Sequence, residues 1–279
     1  MTDPSVDDIA YWLEAAEGRA WADMFRGIAD QGGGGLDPWI DEADGVVTFA
    51  LKEIGWGFFN RSIGLGIDRP ATEADVDRVL DGFRSSGQTD FTIQVGPSAR
   101  PAALEAWLEA RGLRRGRRWA KVWRGAVDLP AERTELRIER VGAEQSDDWA
   151  RVVLTAFEMP ESLRPYVIAT LGRPDWHHFL AYDGDLAVGA GGTYLIGEVA
   201  WLGFGATLES HRGRGSQSAI FARRMREAAA LGVRLFITET GEDLPDDPNP
   251  SYRNMLRGGF HLAYQRRNLL PPMEAKPES

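Results

Sequence analysis

One stretch of the chain, residues 203–220, limits the possible folds more than any other. An apolar run that ends near Leu208 predicts a strand, residues 212–215 (Arg-Gly-Arg-Gly) predict a turn, and the following residues predict a helix. Such a junction brings free backbone N–H groups and the positive end of a helix dipole to one point. Glycines let those amides approach a ligand closely, and two arginines add positive charge. The stretch therefore predicts a site for a phosphate-bearing cofactor.

Length and composition are those of a globular protein with one large domain or two of ordinary size. The chain has 279 residues, of which 43% are hydrophobic, and it has no cysteine. This composition excludes a disulfide framework, thiolate metal ligands and a cysteine nucleophile. We expect a cytoplasmic protein, because a chain without cysteine suits a reducing compartment and the acidic N-terminus has no signal-peptide pattern. The sequence contains no apolar run long enough to cross a bilayer.

The net charge of −10 argues against nucleic acid and anionic membranes as partners. One local exception is a basic run from Arg111 to Arg124 that is interleaved with Trp119 and Trp123. We interpret it as an edge strand whose charges face water and discourage pairing with another sheet. A nucleic-acid-binding surface is the alternative interpretation of the same residues.

Apolar periodicity and turn residues predict alternating helices and strands in both halves of the chain. In the first half they predict helices at 5–29, 72–85 and 101–111 and strands at 46–51, 56–67, 91–95 and 118–124. In the second half they predict helices at 146–157, 161–171, 213–231 and 251–257 and strands at 135–141, 178–182, 186–195, 199–208, 233–240 and 261–270. The sequence thus indicates a mixed α/β fold with a mostly antiparallel central sheet flanked by helices.

The second half resembles the GCN5-related N-acetyltransferase (GNAT) superfamily in two independent respects. The spacing Arg212-x-x-Gly215 is similar to the acyl-CoA pyrophosphate loop of that superfamily, and the order of predicted elements around it is the same. The family pattern continues with Gly or Ala where this chain has Gln217. The resemblance implies acetyl-CoA as the acyl donor.

The two halves also resemble each other, which predicts a tandem repeat. Residues 106–113 and the strand after them match residues 254–260 and their following strand, at an offset of 147 residues between Gly112 and Gly259. The first copy has residues 66–71 (Gly-Ile-Asp-Arg-Pro-Ala) where the anion loop should be, so we expect it to be degenerate. The predicted domains are 1–125 and 135–279, joined by a linker at 126–134, with one cofactor site per chain. Such an internal pseudo-dimer is compatible with a monomer.

The resemblance also implies which residues hold the carrier. Backbone amides would bind the pyrophosphate, namely those of Arg212, Gly213, Arg214, Gly215, Ser216 and Gln217. The strand residues Ala206, Thr207 and Leu208 would align the pantetheine arm. Asn249 resembles a family asparagine that reaches toward the carrier, although a helix cap beside Pro250 is an equal interpretation.

The catalytic groups are less sharply indicated. The family often places a proton-donating tyrosine where this chain has Met255, so Tyr252, one turn earlier, is the candidate acid, with a packing tyrosine as the alternative. Glu239 is the candidate general base, with Glu198 and Glu158 as rivals. The four histidines show no spacing typical of metal ligands, so we expect no metal site.

These observations favour an acyl-CoA-dependent N-acyltransferase. It would transfer an acetyl group directly to an amine of a small molecule, a protein N-terminus or a side chain. The alternative is an acyl-CoA-binding regulatory module without turnover, because Met255 and Gln217 depart from the family pattern. Residues that could line the acceptor cleft are Phe157, Trp176, Tyr194 and residues 60–63.

Overall fold

The computed structural model describes residues 6–272, with side chains from residue 8 onward. The α-helices are α1 (Val6–Asp30), α2 (Glu73–Ser85), α3 (Leu104–Ala110), α4 (Ser146–Ala156), α5 (Arg164–Ile168), α6 (Ser216–Ala230) and α7 (Pro250–Arg257). The strands are β1 (Pro38–Ala43), β2 (Val46–Leu51), β3 (Arg61–Ile63), β4 (Thr92–Val95), β5 (Arg114–Arg115), β6 (Trp119–Gly125), β7 (Arg137–Val141), β8 (Trp176–Asp183), β9 (Leu186–Ile196), β10 (Val199–Thr207), β11 (Leu235–Gly241) and β12 (His261–Leu270).

The strands form one continuous sheet that confirms the predicted mixed α/β class. Their order is β1-β2-β3-β4-β12-β6-β11-β10-β9-β8-β7, with β5 paired to β12. Two neighbouring pairs, β3 with β4 and β10 with β11, are parallel, and the other pairs are antiparallel. Each parallel pair is connected by one helix, α2 in the first half and α6 in the second. The two halves therefore repeat the same strand–helix–strand unit.

The last strands of the two halves are exchanged. Strand β6 closes the first half of the sequence, yet it lies between β11 and β12. Strand β12 ends the second half and pairs with β4 of the first. The sheet therefore does not separate at the predicted linker, and the limits 1–125 and 135–279 stay predictions.

The interpretation of the basic run as an edge strand is wrong, because β6 has a hydrogen-bonded neighbour on each side. Most of its charges are paired with carboxylates of the same chain. Arg111 pairs with Asp77, Arg117 with Asp247, and Arg118 with Glu242. An alternation of charged and aromatic residues suits an interior strand here because acidic partners come from distant segments.

Two other predictions of local structure are also corrected. The predicted strand at 56–67 is reduced to β3, because Gly64 and Gly66 adopt positive φ angles of 90° and 80° and residues 57–59 form a turn. The predicted helix at 161–171 is shortened to α5. Strand β1 was not predicted, and it pairs with β2 across a turn at Asp44 and Gly45, both of which have positive φ.

Helices cover both faces of the sheet and divide its core. On one face, α1, α4 and α5 pack with Trp201 and Ile237. On the other face, α6 and α7 pack with Leu202 and Phe236. Helix α1 belongs to the first half but contacts β10 and β11 of the second. The two copies therefore share one core on the α1 face.

The helix start in the first copy is closed to a ligand. Thr72 caps α2, and its side chain and that of Asp75 form a capping box with each other's backbone N–H. Arg69 donates two hydrogen bonds to Asp75, both at 2.8 Å. A Cβ on Gly66 would lie 2.5 Å from the carbonyl oxygen of Arg100. Because carboxylates already occupy the positive end of α2, an anion would meet repulsion there.

We predict that stability falls at mildly acidic pH because of buried His178. It is 1% exposed, lies beside the rings of Trp149 and Trp176, and its Nε2 is 2.9 Å from Thr170 Oγ1. Burial lowers the pKa of His178 from its ordinary 6.5 to about 3. The unfolded chain therefore binds one more proton between those two values. The stability that the neutral His178 contributes is complete above pH 6.5 and is lost as the pH falls, by about 1.4 kcal/mol per pH unit.

Urea unfolding of the wild type and of His178→Phe between pH 8 and pH 4.5 measures this loss. The difference between the two proteins at pH 8, where the histidine is neutral in both states, is the baseline. The variant should show the shallower pH dependence. Parallel curves for the two proteins would contradict the assignment.

Candidate active site

A cavity of about 1020 Å³ opens where β10 and β11 separate. The two strands pair only from Val199 to Trp201, opposite residues 235–237. A bulge between Gly203 and Ala206 then bends β10, and Phe204 within it has a φ of 54°. The lining includes residues from both faces of the sheet, such as Trp201 on the α1 face and Leu202 on the α6 face. The cavity is therefore a passage through the sheet.

Side chains from two elements hold the separated strands in place. Arg224 on α6 donates from Nη1 to the carbonyl oxygens of Gly192 and Gly203, at 2.7 and 2.9 Å. Thr238 Oγ1 donates to the carbonyl oxygen of Leu202 at 2.7 Å. Arg224 lines the cavity, and its Nε has no hydrogen-bond acceptor in the described part of the chain. Burial lowers the pKa of Arg224 to about 9.

The predicted anion loop lies at the α6 end of the cavity. Gly213 and Gly215 have φ angles of 80° and 81°, and both line the cavity. Within residues 6–272, α6 has no side-chain cap and no acidic residue in its first turn. Its first N–H groups are therefore left for a ligand, unlike those of α2.

The arginines of this loop do different things. Arg214 forms an ion pair with Asp183, which also lies 3.3 Å from His211 Nε2. Arg212 is exposed, and among the described residues it forms only a long ion pair, from its Nη1 to Glu209 Oε1 at 3.9 Å. Arg212 is thus the loop arginine whose side chain is available to a ligand.

The other predicted carrier residues lie on β10 and at the start of α6. Ala206, Thr207, Ser216 and Gln217 line the cavity. Ser216 Oγ and Gln217 Nε2 each lie 3.3 Å from Thr207 Oγ1. Gln217 therefore folds back over β10, while Leu208 packs against the core under β7 and β8. The departure from the family pattern at 217 leaves the helix start open.

Asn249 and Tyr252 serve the packing of α7. Asn249 Oδ1 accepts from the Tyr252 N–H at 3.1 Å, and its Nδ2 donates to Thr240 Oγ1 and the Gly241 carbonyl. Tyr252 packs against the core on the α6 face. Asn249 thus makes the contacts of a helix cap, and Tyr252 makes those of a packing tyrosine, which are the alternatives that the sequence left open. Met255, where the resemblance implies a tyrosine, is one of the α7 residues that line the cavity.

Glu239 lies in the wall of the cavity and is held by two donors. Lys121 Nζ is 3.0 Å from Glu239 Oε2, and Trp201 Nε1 is 3.0 and 3.1 Å from its two oxygens. Burial, with a smaller effect from nearby Glu17, raises the pKa of Glu239 above its ordinary value, and Lys121 opposes this rise. Of the rivals, Glu198 lies in the turn between β9 and β10, and Glu158 is exposed after α4.

A buried ion network surrounds Glu239. Lys121 Nζ bridges Glu239 and Glu17, the latter at 2.6 Å. Glu17 lies on α1 and also pairs with Arg61 and Arg266. Arg266 in turn pairs with Glu14 at 3.0 Å. The buried ion network consists of three carboxylates and three cations, so its formal charges balance.

Aromatic rings line the end of the cavity on the α1 face. We call this end the aromatic chamber and define it by Trp21, Trp56, Phe58, Phe59, Trp119 and Tyr166. All but Tyr166 come from the first half of the chain. The rings form a continuous series, with centroid distances of 5.6 Å between Trp21 and Phe58 and 4.9 Å between Phe59 and Tyr166.

The predicted acceptor residues are only partly in this region. Phe157 lines the cavity. Trp176 and Tyr194 instead pack on each other at 5.0 Å, and Trp176 Nε1 donates to Asp23. Asn60 is tied to Gln88 at 2.7 Å. The cluster of aromatic residues at 56–59 was the signal that could have identified the chamber.

Two kinds of feature are absent from the residues that the structure describes. Residues 6–272 hold no group of three or more side chains that could bind a metal ion. None of the helices in this part of the chain is long and apolar enough to span a bilayer.

Comparison with known proteins identifies the fold. No family model and no curated protein sequence matches the chain. A GCN5-related N-acetyltransferase from Kribbella flavida superposes with a TM-score of 0.63 at 19% identity, over 92% of this chain and 96% of that one. A GCN5-related N-acetyltransferase from Sphaerobacter thermophilus superposes with a TM-score of 0.57 at 16% identity, over 82% of each chain. A tandem GNAT protein from the clavulanic acid biosynthesis pathway gives 0.55 at 17% identity, over 84% and 81%.

These superpositions define the fold of the chain. The separated parallel strands and the uncapped helix agree with it. The chain has the fold of the GCN5-related N-acetyltransferases. It has that fold in the tandem form, as the internal similarity of its sequence predicted.

We predict that Lys121→Met destabilises the protein strongly. It would leave Glu17 and Glu239 buried with one cation fewer, which typically costs about 3–5 kcal/mol. Arg84→Met is the control, since Arg84 pairs with Asp81 at the surface with 69% and 66% of their side chains exposed, and such pairs contribute at most about 1 kcal/mol. Denaturant unfolding measures both variants at pH 7. Equal effects of the two substitutions would contradict the proposed weight of the buried ion network.

Proposed function

We propose that this protein is an acyl-CoA-dependent N-acyltransferase that transfers an acetyl group directly from acetyl-CoA to an amine. The observation that carries the proposal is the passage through the sheet, with an uncapped helix start at one end and a buried carboxylate in its wall. The amine belongs to a small molecule, a protein N-terminus or a side chain. The cytoplasmic location, the monomeric state and the domain limits given above are part of this proposal.

The carrier would bind on the α6 face. The N–H groups of residues 212–217 and the exposed guanidinium of Arg212 would hold the pyrophosphate. Arg257 of α7 also lines the cavity and adds positive charge. The edge of β10 at Ala206 and Thr207 lies free of β11, because the strands pair only up to Trp201. The pantetheine arm would bind along that free edge.

Glu239 would act as the general base, directly or through a water molecule. It would accept a proton from the ammonium group of the acceptor, so that the free amine can attack the thioester carbonyl. The C–N bond forms as the C–S bond breaks, the thiolate of CoA leaves, and the nitrogen gives up its second proton to that thiolate or to water. A raised pKa suits this role, because it brings the carboxylate closer to the pH at which it must take up a proton.

A second candidate function is acyl-CoA binding without turnover. Met255 favours it, because a thioether cannot give the departing thiolate a proton.

For turnover, Tyr252 remains our candidate acid, and it would have to turn from its packed position to reach the cavity. The buried cation of Arg224, which lines the cavity, would stabilise a thiolate without any proton transfer.

Acetyl-CoA should bind at one site per chain and depend on Gly215. An added Cβ there would lie 2.5 Å from the carbonyl oxygen of Arg133, so Gly215→Ala must shift the loop and its amides. We expect at least about tenfold weaker binding by calorimetry, the equivalent of about 1.4 kcal/mol. Gly232→Ala is the matched control, since Gly232 also has positive φ, with no atom of the described chain within 4 Å of an added Cβ. The absence of acetyl-CoA binding to the wild type would refute the proposal.

Turnover should depend on Glu239. Glu239→Gln keeps the shape and should lower kcat about 10²–10⁴-fold while leaving the acetyl-CoA affinity unchanged. In the wild type, kcat/KM should fall as the pH drops through the raised pKa of Glu239, and the variant should lack that acidic limb. Release of CoA thiol across an amine panel is the assay, and Glu198→Gln is the control. Unchanged turnover in Glu239→Gln would exclude it as the base, and binding without turnover by the wild type would favour the second function.

A further inference from the structure

The aromatic chamber adds information about the acceptor. It lies on the α1 face of the sheet, whereas the anion loop precedes α6 on the other face. Trp119 and Glu239 share that α1 face, because Trp119 pairs with Gly241 and Lys121 with Glu239 in the β6–β11 register. The rings therefore continue from the proposed base into the first half of the chain.

The chamber also has an entrance of its own. Trp56, Phe58 and Phe157 line the cavity while remaining 48%, 39% and 45% exposed, so they form its rim. An acyl group enters on its carrier and needs no entrance of its own, whereas an acceptor needs a way in that the carrier does not fill. The exposed rim thus favours the acceptor as the occupant.

The charges around the chamber limit what that acceptor can be. Among the described lining residues, Glu239 is the one carboxylate of the cavity. Arg61 lies over the rings of Trp21, Phe58 and Trp119 at 4.0, 5.0 and 5.3 Å. Its guanidinium already uses ring faces that a second ammonium group of the ligand would need. A polycationic acceptor would therefore find no second carboxylate among these lining residues for its second charge, and three of the six chamber rings already have a cation over one face.

We propose, resting on the function above, that the aromatic chamber binds a primary amine with an aromatic or bulky apolar body and no second charge. Its ammonium group would point to Glu239 and Trp201, and its body would stack among the rings of the chamber. A carboxylate on the acceptor would be unfavourable, because it would enter an apolar wall beside Glu239.

Binding of 2-phenylethylamine, measured by calorimetry on the full chain with and without CoA, tests this inference without any turnover. Putrescine and phenylalanine are the comparison ligands for a second cation and a carboxylate. We expect 2-phenylethylamine to bind at least about tenfold more tightly than either. Phe58→Ala should weaken its binding by about the same factor. Leu186→Ala, a truncation of an exposed apolar side chain on β9 that does not line the cavity, should not.

Several results would overturn the inference. Equal or tighter binding of putrescine or phenylalanine would do so, as would unchanged binding in Phe58→Ala. Tighter binding of phenylacetyl-CoA than of acetyl-CoA, lost in Phe58→Ala and without amine binding, would assign the chamber to the acyl group. Acetyl-CoA binding is measured separately, so its failure would refute the proposed function while the amine titrations still judge the chamber.

Discussion

The bridge from Glu17 through Lys121 to Glu239 is the constraint on which the rest of the structure depends. The side chains of three carboxylates and three cations are buried together, and each would be costly to bury alone. These six residues come from α1, β3, β6, β11 and β12, which belong to both halves of the sequence. The exchange of β6 and β12 brings Lys121 and Arg266 to this point. The first copy thus holds the carboxylate in the wall of the second copy's cavity.

The separation of β10 from β11 turns this joint core into a site. A bulge with Phe204 at positive φ ends their pairing after Trp201, and Arg224 holds the bent strand through two carbonyl oxygens. The opening connects the helix start on one face with aromatic rings on the other. In the proposed function, the carrier and the acceptor would meet at Glu239 from opposite faces of one sheet. In the first copy, carboxylates fill the start of α2, and this copy contributes most of the chamber wall.

Features set by nearby residues were predictable. The loop at 212–215, the cap at Thr72 and the order of helices and strands follow from glycine, capping and apolar spacing within short segments. The position of β6 was not, because its neighbours come from more than a hundred residues away. For the same reason, the basic run was misinterpreted as an edge, and the sequence did not show that Trp176 contacts Asp23 of α1. Met255 could be singled out because its spacing from Gly259 is local, and it lines the cavity.

By itself, the sequence determined that the chain is a tandem repeat with a glycine-arginine loop before α6, because turn residues and periodicity act over a few residues. Only the tertiary structure decided which side chains meet in the cavity. Asn249 and Tyr252 were each open to two roles in the sequence, and packing of α7 gave them contacts within the chain. Lys121, Trp201 and the rings of the chamber met Glu239 only through strand exchange and the docking of α1. Such contacts depend on burial between distant segments, which local patterns do not encode.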